Sequence, residues 1–132
     1  MAKILICEDD ELYQQIAEAA FAGSEHDVLF VANGRQALNE WKAATFDIVV
    51  TDLLMPDKDG LEVIRAIRES SLRTPILAMT AGLASLKEPL LVAASALGAN
   101  DVIQKPFRPA ALRERVDALL AQARKDQNSI AV

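Results

Sequence analysis

Side chains that can do chemistry stand directly after apolar runs at several places in this 132-residue sequence. Carboxylates follow two of the runs, a threonine follows a third and a lysine follows a fourth: Glu8, Asp9 and Asp10; Asp52; Thr80; and Lys105. Clustered carboxylates repel one another, and a hard divalent cation such as Mg²⁺ relieves that repulsion. A carboxylate can also act as a covalent nucleophile. These residue types therefore indicate metal-assisted chemistry, provided that the fold brings them together.

The elements that must position these residues alternate along the chain. Apolar runs predict strands at 3–7, 28–32, 46–51, 76–79 and 101–104, and amphipathic or capped segments predict helices at 10–22, 33–44, 61–69, 89–97 and from 109. Five such units predict an α/β fold with a doubly wound, five-stranded parallel sheet of order 2-1-3-4-5, a flavodoxin-like (βα)5 arrangement.

The carboxyl ends of parallel strands meet at one edge of the sheet, where such folds bind their ligands. If the first and third strands are neighbours, Glu8 and Asp9 face Asp52 across the crevice. Thr80 and Lys105 end other strands at the same edge. No histidine and no second cysteine lies near these residues in the sequence. Because zinc and copper prefer such ligands, the residues favour Mg²⁺.

Several of these residues also have simpler interpretations. The run Glu8 to Asp10 is equally typical of a helix start, where carboxylates favour the positive end of the helix dipole. Residues 57–59 are expected to be solvated loop charges. His26, the only histidine, is predicted to lie on the surface away from the edge, and Leu12 on the buried face of the first helix.

Composition sets further limits. The net charge of −5 and pI of about 4.8 give no reason to expect direct nucleic-acid binding. A lone cysteine, Cys7, suits a reducing cytoplasm, and neither a membrane-spanning run nor a signal peptide is evident. We therefore expect a cytoplasmic protein with no membrane contact, with one domain at residues 1–124 and a short tail at 125–132.

From about Lys3 to Ala123 the sequence resembles a response-regulator receiver domain of the chemotaxis-receiver type. The resemblance rests on the acidic run at 8–10, the acceptor run at 51–60, Thr80-Ala81 and Lys105-Pro106-Phe107. Their order, spacing and position at strand ends all agree with that family. With no effector domain in the sequence, the resemblance is to a stand-alone, single-domain response regulator.

The resemblance implies a role for each site residue. Asp52 is the expected phosphoacceptor. Mg²⁺ is expected on Asp9, Asp52 and the backbone carbonyl of Leu54, with Glu8 helping through water. Thr80 is expected to hydrogen-bond a phosphoryl oxygen, and Lys105 to pair with the phosphoryl group or with Asp52. The Lys105-Pro106 peptide bond is expected to be cis.

The implied function is a phosphorylation switch rather than an enzyme in the ordinary sense, one that assists its own phosphorylation and dephosphorylation. The expected donor is a phosphohistidine on a sensor histidine kinase or histidine phosphotransferase. The readout is an unknown downstream protein on the face of the fourth helix, fifth strand and fifth helix, or onward transfer along a relay. Where most receivers carry a switch aromatic on the fifth strand, this sequence has Val102. Leu54 and Gly82 offer no side chain that orients water, which predicts a long-lived acyl phosphate.

Three alternatives stay open from the residues alone. A phosphatase with an Asp nucleophile commonly has a second carboxylate two positions later, where Leu54 stands here. A receiver-like interaction module that is not phosphorylated has no need of the acidic residues, Thr80 or Lys105. A nucleotide-binding role lacks a glycine-rich phosphate loop after the first strand.

Overall fold

The computed structural model describes residues 1–55, 59–81 and 92–130, with side chains up to residue 127. Its five strands are all parallel and lie in the predicted order, β2-β1-β3-β4-β5. The strands are β1 (Lys3–Cys7), β2 (Asp27–Val31), β3 (Ile48–Asp52), β4 (Ile76–Thr80) and β5 (Asp101–Gln104). The helices are α1 (Glu11–Phe21), α2 (Gly34–Ala43), α3 (Gly60–Ser70), α4 (92–97 in the described part) and α5 (Pro109–Ile130). The predicted (βα)5 architecture is confirmed.

The sheet register aligns the carboxyl ends of the strands. Cys7 at the end of β1 pairs with Thr51 of β3, so that the next residues, Glu8 and Asp52, leave the two strands side by side. Asp52 pairs in turn with Met79 of β4. One edge of the sheet therefore collects the residues that follow β1, β3 and β4.

Alternation along the strands divides the core between the two faces of the sheet. Ile4, Ile6 and Val50 pack on one face with residues of α1 and α5, whereas Leu5 and Val49 pack on the other with residues of α2 and α3. These side chains are fully buried. Burial of an aliphatic side chain of this size contributes about 1.5–3 kcal/mol, so the central strands form a rigid base for the edge.

Side-chain caps fix where three helices begin. Asp10, Asn33 and Asp59 each accept a hydrogen bond from a backbone N–H in the first turn of α1, α2 and α3 respectively. The predicted start of the second helix at residue 33 is confirmed, since Asn33 caps it. Asp59, predicted to be a solvated loop charge, does lie outside any helix or strand, but it also has a structural role, because its carboxylate accepts from the Glu62 N–H at 3.0 Å.

Two details of the helices differ from expectation. Leu12 was predicted on the buried face of α1 but is 58% exposed, because the buried residues of that helix all lie in its second half. A tail was predicted at residues 125–132, but α5 continues to Ile130. The apolar stripe ends at Ala123, yet polar residues continue the helix, with a Gln122–Asp126 hydrogen bond of 3.0 Å one turn apart. The domain limit at residue 124 stays a prediction.

The fourth helix ends where the sequence indicates. Gly98 follows it with a φ of +114°, a left-handed conformation that favours glycine. The predicted loop at 81–88 and the predicted helix start at Pro89 lie almost entirely outside the described residues. Within the described part of the chain, no helix is long and apolar enough to cross a membrane.

Candidate functional site

Three carboxylates meet at the carboxyl edge of the sheet. Glu8 and Asp9 follow β1 and Asp52 ends β3, and one oxygen from each lies within 4.8 Å of the others. Glu8 and Asp52 are buried, whereas Asp9 is exposed. The adjacent residue Asp10 caps α1 instead. Of the acidic run, two residues therefore belong to the site and the third has the structural role that the sequence also allowed.

Lys105 supplies the positive charge of the site. Its ammonium nitrogen Nζ lies 2.7 Å from Glu8 Oε2 and 3.3 Å from Asp52 Oδ2. Its backbone N–H donates to the Thr80 carbonyl at 2.8 Å, which continues the β4–β5 pairing up to the lysine. The peptide bond to Pro106 is cis, as expected. The lysine, which follows β5, thus contacts both buried carboxylates, which lie at the ends of β1 and β3.

Thr80 ends β4 one residue beyond Met79, the register partner of Asp52. Its side chain is buried, and its Oγ1 has no hydrogen-bond partner among the described residues. A buried hydroxyl without a partner is uncommon and costly. An anionic oxygen bound at this edge would satisfy it.

Burial shifts the pKa values of the charged groups at the site. Burial raises the pKa of Glu8 to about 7, although Lys105 opposes that shift. Burial likewise raises the pKa of Asp52, again against the influence of Lys105. Burial alone would lower the pKa of Lys105, but Glu8 and Asp52 outweigh it and raise that pKa. The negative charge of the site therefore exceeds what the single positive charge of Lys105 neutralises.

The carboxylates fit a hard divalent cation. Oxygen ligands from one or two carboxylates, with waters in the remaining positions, are what Mg²⁺ prefers. The raised pKa values of Glu8 and Asp52 indicate that a second positive charge would be stabilising there. The backbone N–H of Leu54 opposes the rise in the pKa of Asp52, which places this residue beside the acceptor. Its carbonyl as a metal ligand stays a prediction.

Two α1 residues at the site were missed by sequence analysis. The Tyr13 ring lies under the Lys105 ammonium, with its centroid 4.2 Å from Nζ. The Gln14 side-chain amide donates to the Glu8 carbonyl at 2.7 Å. The sequence did contain a signal for them. Because the side chains of a helix tilt toward its N-terminus, the first-turn side chains of a helix that begins right after the acidic run point back toward that run.

Other residues with possible chemistry lie elsewhere. Cys7 is buried, burial raises its pKa to about 12, and its thiol contacts the Met55 sulfur at 3.2 Å, so it is unreactive. The prediction of His26 as a surface residue is wrong, since its side chain is only 12% exposed and accepts from the Ala2 N–H. Val102 is half-buried against the α2–α3 side of the core. Asp57, Lys58 and Gly82 lie outside the described residues.

This fold and this edge define a class of protein. The family model for the response regulator receiver domain matches residues 4–117. The chain therefore belongs to the receiver domains of two-component response regulators, whose members are phosphoacceptor switches that bind Mg²⁺ in an acidic pocket. Receiver domains interact with histidine kinases and with downstream effectors.

Particular relatives agree with this assignment. The chain is 36% identical over 127 residues to the transcriptional regulatory protein CiaR of Streptococcus pneumoniae, covering 95% of this chain and 54% of that protein. It is 33% identical over 121 residues to the alkaline phosphatase synthesis transcriptional regulatory protein PhoP of Bacillus subtilis, covering 92% and 49%. The chain thus spans about half the length of these curated relatives.

Solved structures show the same fold. The chemotaxis response regulator CheY4 of Vibrio cholerae superposes with a TM-score of 0.80 at 30% identity, covering 90% of this chain and 98% of that one. The receiver domain of DrrB, solved in a BeF3-activated form, gives 0.77 at 28% identity, covering 92% and 98%. The interpretation as a receiver-like module that is not phosphorylated is not favoured by these relationships.

Proposed function

We propose that Asp52 accepts a phosphoryl group from a phosphohistidine, in a reaction that requires Mg²⁺. The observation that carries the proposal is the position of Asp52 on the central strand, within reach of two other carboxylates and of the Lys105 ammonium. Transfer of a phosphoryl group depends mainly on positioning and on neutralising charge. The sheet edge supplies the positioning, and Lys105 together with bound Mg²⁺ would supply the neutralisation.

Of the three carboxylates, Asp52 is the best suited to act as the nucleophile. Glu8 is already held by Lys105 at 2.7 Å and by the Asp10 N–H at 3.0 Å, and it is nearly inaccessible. Asp9 is exposed and belongs to no strand or helix. Asp52 is fixed by the sheet but retains some exposure, at 6%. It therefore combines a fixed position with access from the crevice.

Each residue at the sheet edge has its own role in the transfer. An Asp52 oxygen forms a bond to phosphorus as the bond from phosphorus to the imidazole nitrogen breaks, and the electron pair of the broken bond returns to the imidazole. Lys105 would pair with a phosphoryl oxygen, and the Thr80 hydroxyl, which has no partner in the described part of the chain, would donate to another. These contacts stabilise the charge of the transferring group.

Asp9, Asp52 and the Leu54 carbonyl would hold Mg²⁺, with Glu8 acting through a water molecule. The bound ion supplies charge neutralisation for the phosphoryl oxygens. Glu8 is less suited to direct binding, because its Oε2 is engaged by Lys105. Asp9, which is exposed, has no such competitor among the described residues.

The acceptor is tested with a small acyl-phosphate donor and Mg²⁺, followed by intact-mass measurement. The wild type should gain one phosphoryl group, and Asp52→Asn should gain none. Asp47→Asn is the matched control, since Asp47 precedes the same strand at its other end and contacts the Lys3 N–H. Equal labelling of Asp52→Asn and wild type would show that the acceptor is another residue.

Metal binding is tested separately by calorimetric titration with Mg²⁺. Asp9→Asn should weaken binding by about tenfold or more, as loss of a charged ligand does. The same substitution at Asp47 should leave the affinity unchanged. A wild-type protein that binds no Mg²⁺ would contradict the proposed site.

We further propose that the protein acts in the cytoplasm as a phosphorylation switch. Its donor would be a sensor histidine kinase or a histidine phosphotransferase. Its readout would use the face of α4, β5 and α5, with no direct contact to nucleic acid or membrane. On that face Arg115 of α5 contacts the Asp101 carboxylate at 3.1 Å and the Val102 carbonyl at 3.0 Å, so the strand and helix present one surface. Phosphotransfer profiling against the kinases of the host would identify the donor.

The acyl phosphate is proposed to be long-lived, because Leu54 beside the acceptor offers no group that activates water. Self-catalysed dephosphorylation should then be slow. A hydrolysis half-life of only seconds would contradict this proposal.

A further inference from the structure

The Lys105 ammonium has an aromatic neighbour besides its two carboxylates. The centroid of the Tyr13 ring lies 4.2 Å from Nζ, well within the distance at which an ammonium ion is attracted to the face of a ring. Tyr13 stands in the first turn of α1, which is capped by Asp10, the last residue of the acidic run. The lysine is thus enclosed by groups from the ends of β1 and β3 and from the start of α1.

The ring itself is held in place. Tyr13 packs against Phe107, with centroids 5.3 Å apart and an angle of 54° between the ring planes. Phe107 in turn packs against the core on the α1–α5 side. Lys105 and Phe107 belong to the same loop after β5, so Tyr13 contacts that loop at two residues. The position of the ring is therefore fixed independently of the lysine.

We propose that Tyr13 is a positioning residue for Lys105, an inference that rests on the proposed phosphoacceptor function. A lysine side chain has four flexible bonds, and ordering it carries an entropic cost. The ring face favours the ammonium by cation–π attraction and excludes water from one side of it. The lysine is then already ordered near Asp52 before a phosphoryl group arrives.

A structural role alone would leave a different signature. Leucine at position 13 keeps an apolar side chain in the same place but offers no π face, whereas phenylalanine keeps the face and loses only the hydroxyl. If Tyr13 acts through its ring face, Tyr13→Phe should behave as wild type and Tyr13→Leu should not. If Tyr13 only fills space, both variants should behave alike.

The first experiment measures phosphorylation by a small acyl-phosphate donor at saturating Mg²⁺. Tyr13→Leu should lower the maximal rate by about three- to tenfold, the effect expected from losing one partly buried cation–π contact. Tyr13→Phe should stay close to wild type. Leu12→Ala, an exposed position on the same helix turn, is the matched control and should leave the rate unchanged.

Two outcomes of this experiment would overturn the inference: equal rates for Tyr13→Leu and wild type, or equally slow rates for Tyr13→Leu and Tyr13→Phe. A wild-type protein that takes up no phosphoryl group would instead contradict the proposed function. The two failures are therefore distinguishable.

The second experiment needs no phosphorylation. The chain contains a single tyrosine, so protein labelled with fluorotyrosine gives one ¹⁹F resonance for this ring. Lys105→Met should shift that resonance, because the charge above the ring is removed. Lys3→Met should not, since Lys3 lies over the Phe46 ring instead. An unshifted resonance in Lys105→Met would overturn the inference even if Tyr13→Leu failed to fold.

Discussion

The Lys105 ammonium lies 2.7 Å from a Glu8 carboxylate oxygen, and both side chains are almost completely buried, at 5% and 1% exposure. Bringing two opposite charges out of water is costly, and their attraction offsets that cost only when the geometry is good. The raised pKa of Glu8 shows that burial still dominates for this carboxyl group. The lysine therefore stabilises a cluster that remains short of positive charge.

Removing the lysine should expose this imbalance. In Lys105→Met two buried carboxylates lose their counter-ion, so the free energy of unfolding without Mg²⁺ should fall by roughly 3 kcal/mol. Mg²⁺ should restore part of the loss, because it neutralises the same carboxylates. Urea unfolding with chelator and with Mg²⁺ measures both effects. Lys42→Met on the exposed side of α2 is the control and should change stability by less than about 0.5 kcal/mol.

The outcome that would count against this interpretation is a Lys105→Met protein as stable as wild type in chelator. The two carboxylates would then tolerate burial without the lysine, and the ion pair would have no structural role.

Glu8 should make the metal-free protein less stable as the pH rises. Its pKa in the folded protein is about 7, against an ordinary value of 4.5, so the folded state binds the proton more tightly than the unfolded state does. The stability that this group contributes is present below pH 4.5 and is lost as the pH rises to about 7. Glu8→Gln should reduce that slope in chelator-treated protein.

Asp52 should preserve part of the pH dependence of stability in Glu8→Gln. Its pKa is also raised by burial, so it contributes a dependence of the same sign. Denaturant unfolding across this pH window, for both proteins, measures the difference. Parallel curves for Glu8→Gln and wild type would show that Glu8 does not titrate in this range.

The fold and most of the site were predictable because they depend on local patterns. Continuous apolar runs mark strands buried on both faces, and the carboxyl ends of parallel strands share an edge. From these two facts the meeting of Glu8, Asp52 and Lys105 follows without any side-chain detail. The structure places all three there.

Contacts that depend on side-chain geometry were not predictable. Whether Lys105 approaches Glu8 or Asp52 more closely is decided by rotamers and local burial. The exposure of Leu12 depends on which half of α1 packs against its neighbours. His26 is covered by contacts with Ala2 and Asp117, residues far from it in sequence. None of these has a signature in hydrophobic periodicity.

Gly60 should tolerate no side chain. A Cβ at this position would collide with the Asp52 carbonyl oxygen and come within 2.7 Å of the Leu53 Cα, both of them backbone atoms. The Gly60 N–H also donates to the Leu53 carbonyl at 3.0 Å. Gly60→Ala should therefore destabilise the fold by about 3 kcal/mol and displace the acceptor strand end. Thermal unfolding and the rate of phosphorylation measure the two effects.

Gly23→Ala is the informative comparison for Gly60→Ala. Gly23 has a φ of +73° with open space around it, so alanine there should cost only about 1–2 kcal/mol of backbone strain. It should leave phosphorylation unchanged, since Gly23 lies at the far end of α1. Equal effects of the two substitutions on phosphorylation would contradict the proposed close packing under Asp52.

Arg68 should anchor the turn that leads into β5. Its guanidinium group donates to the carbonyl oxygens of Gly98, Ser71 and Thr74 and to the Asn100 side chain, at 2.7–3.1 Å. Arg68→Ala leaves these acceptors without their donor and should lower the free energy of unfolding by about 2–3 kcal/mol.

Arg68→Lys should recover little of that stability, because one ammonium group cannot reproduce the planar fork of donors. Arg65→Ala is the control on the same helix: that side chain is 73% exposed and its pair with Glu69, at 3.7 Å, should contribute less than about 0.5 kcal/mol. Urea unfolding of the three variants measures the ranking. If Arg68→Ala were no less stable than Arg65→Ala, the described hydrogen bonds would not hold the end of α3 to the start of β5.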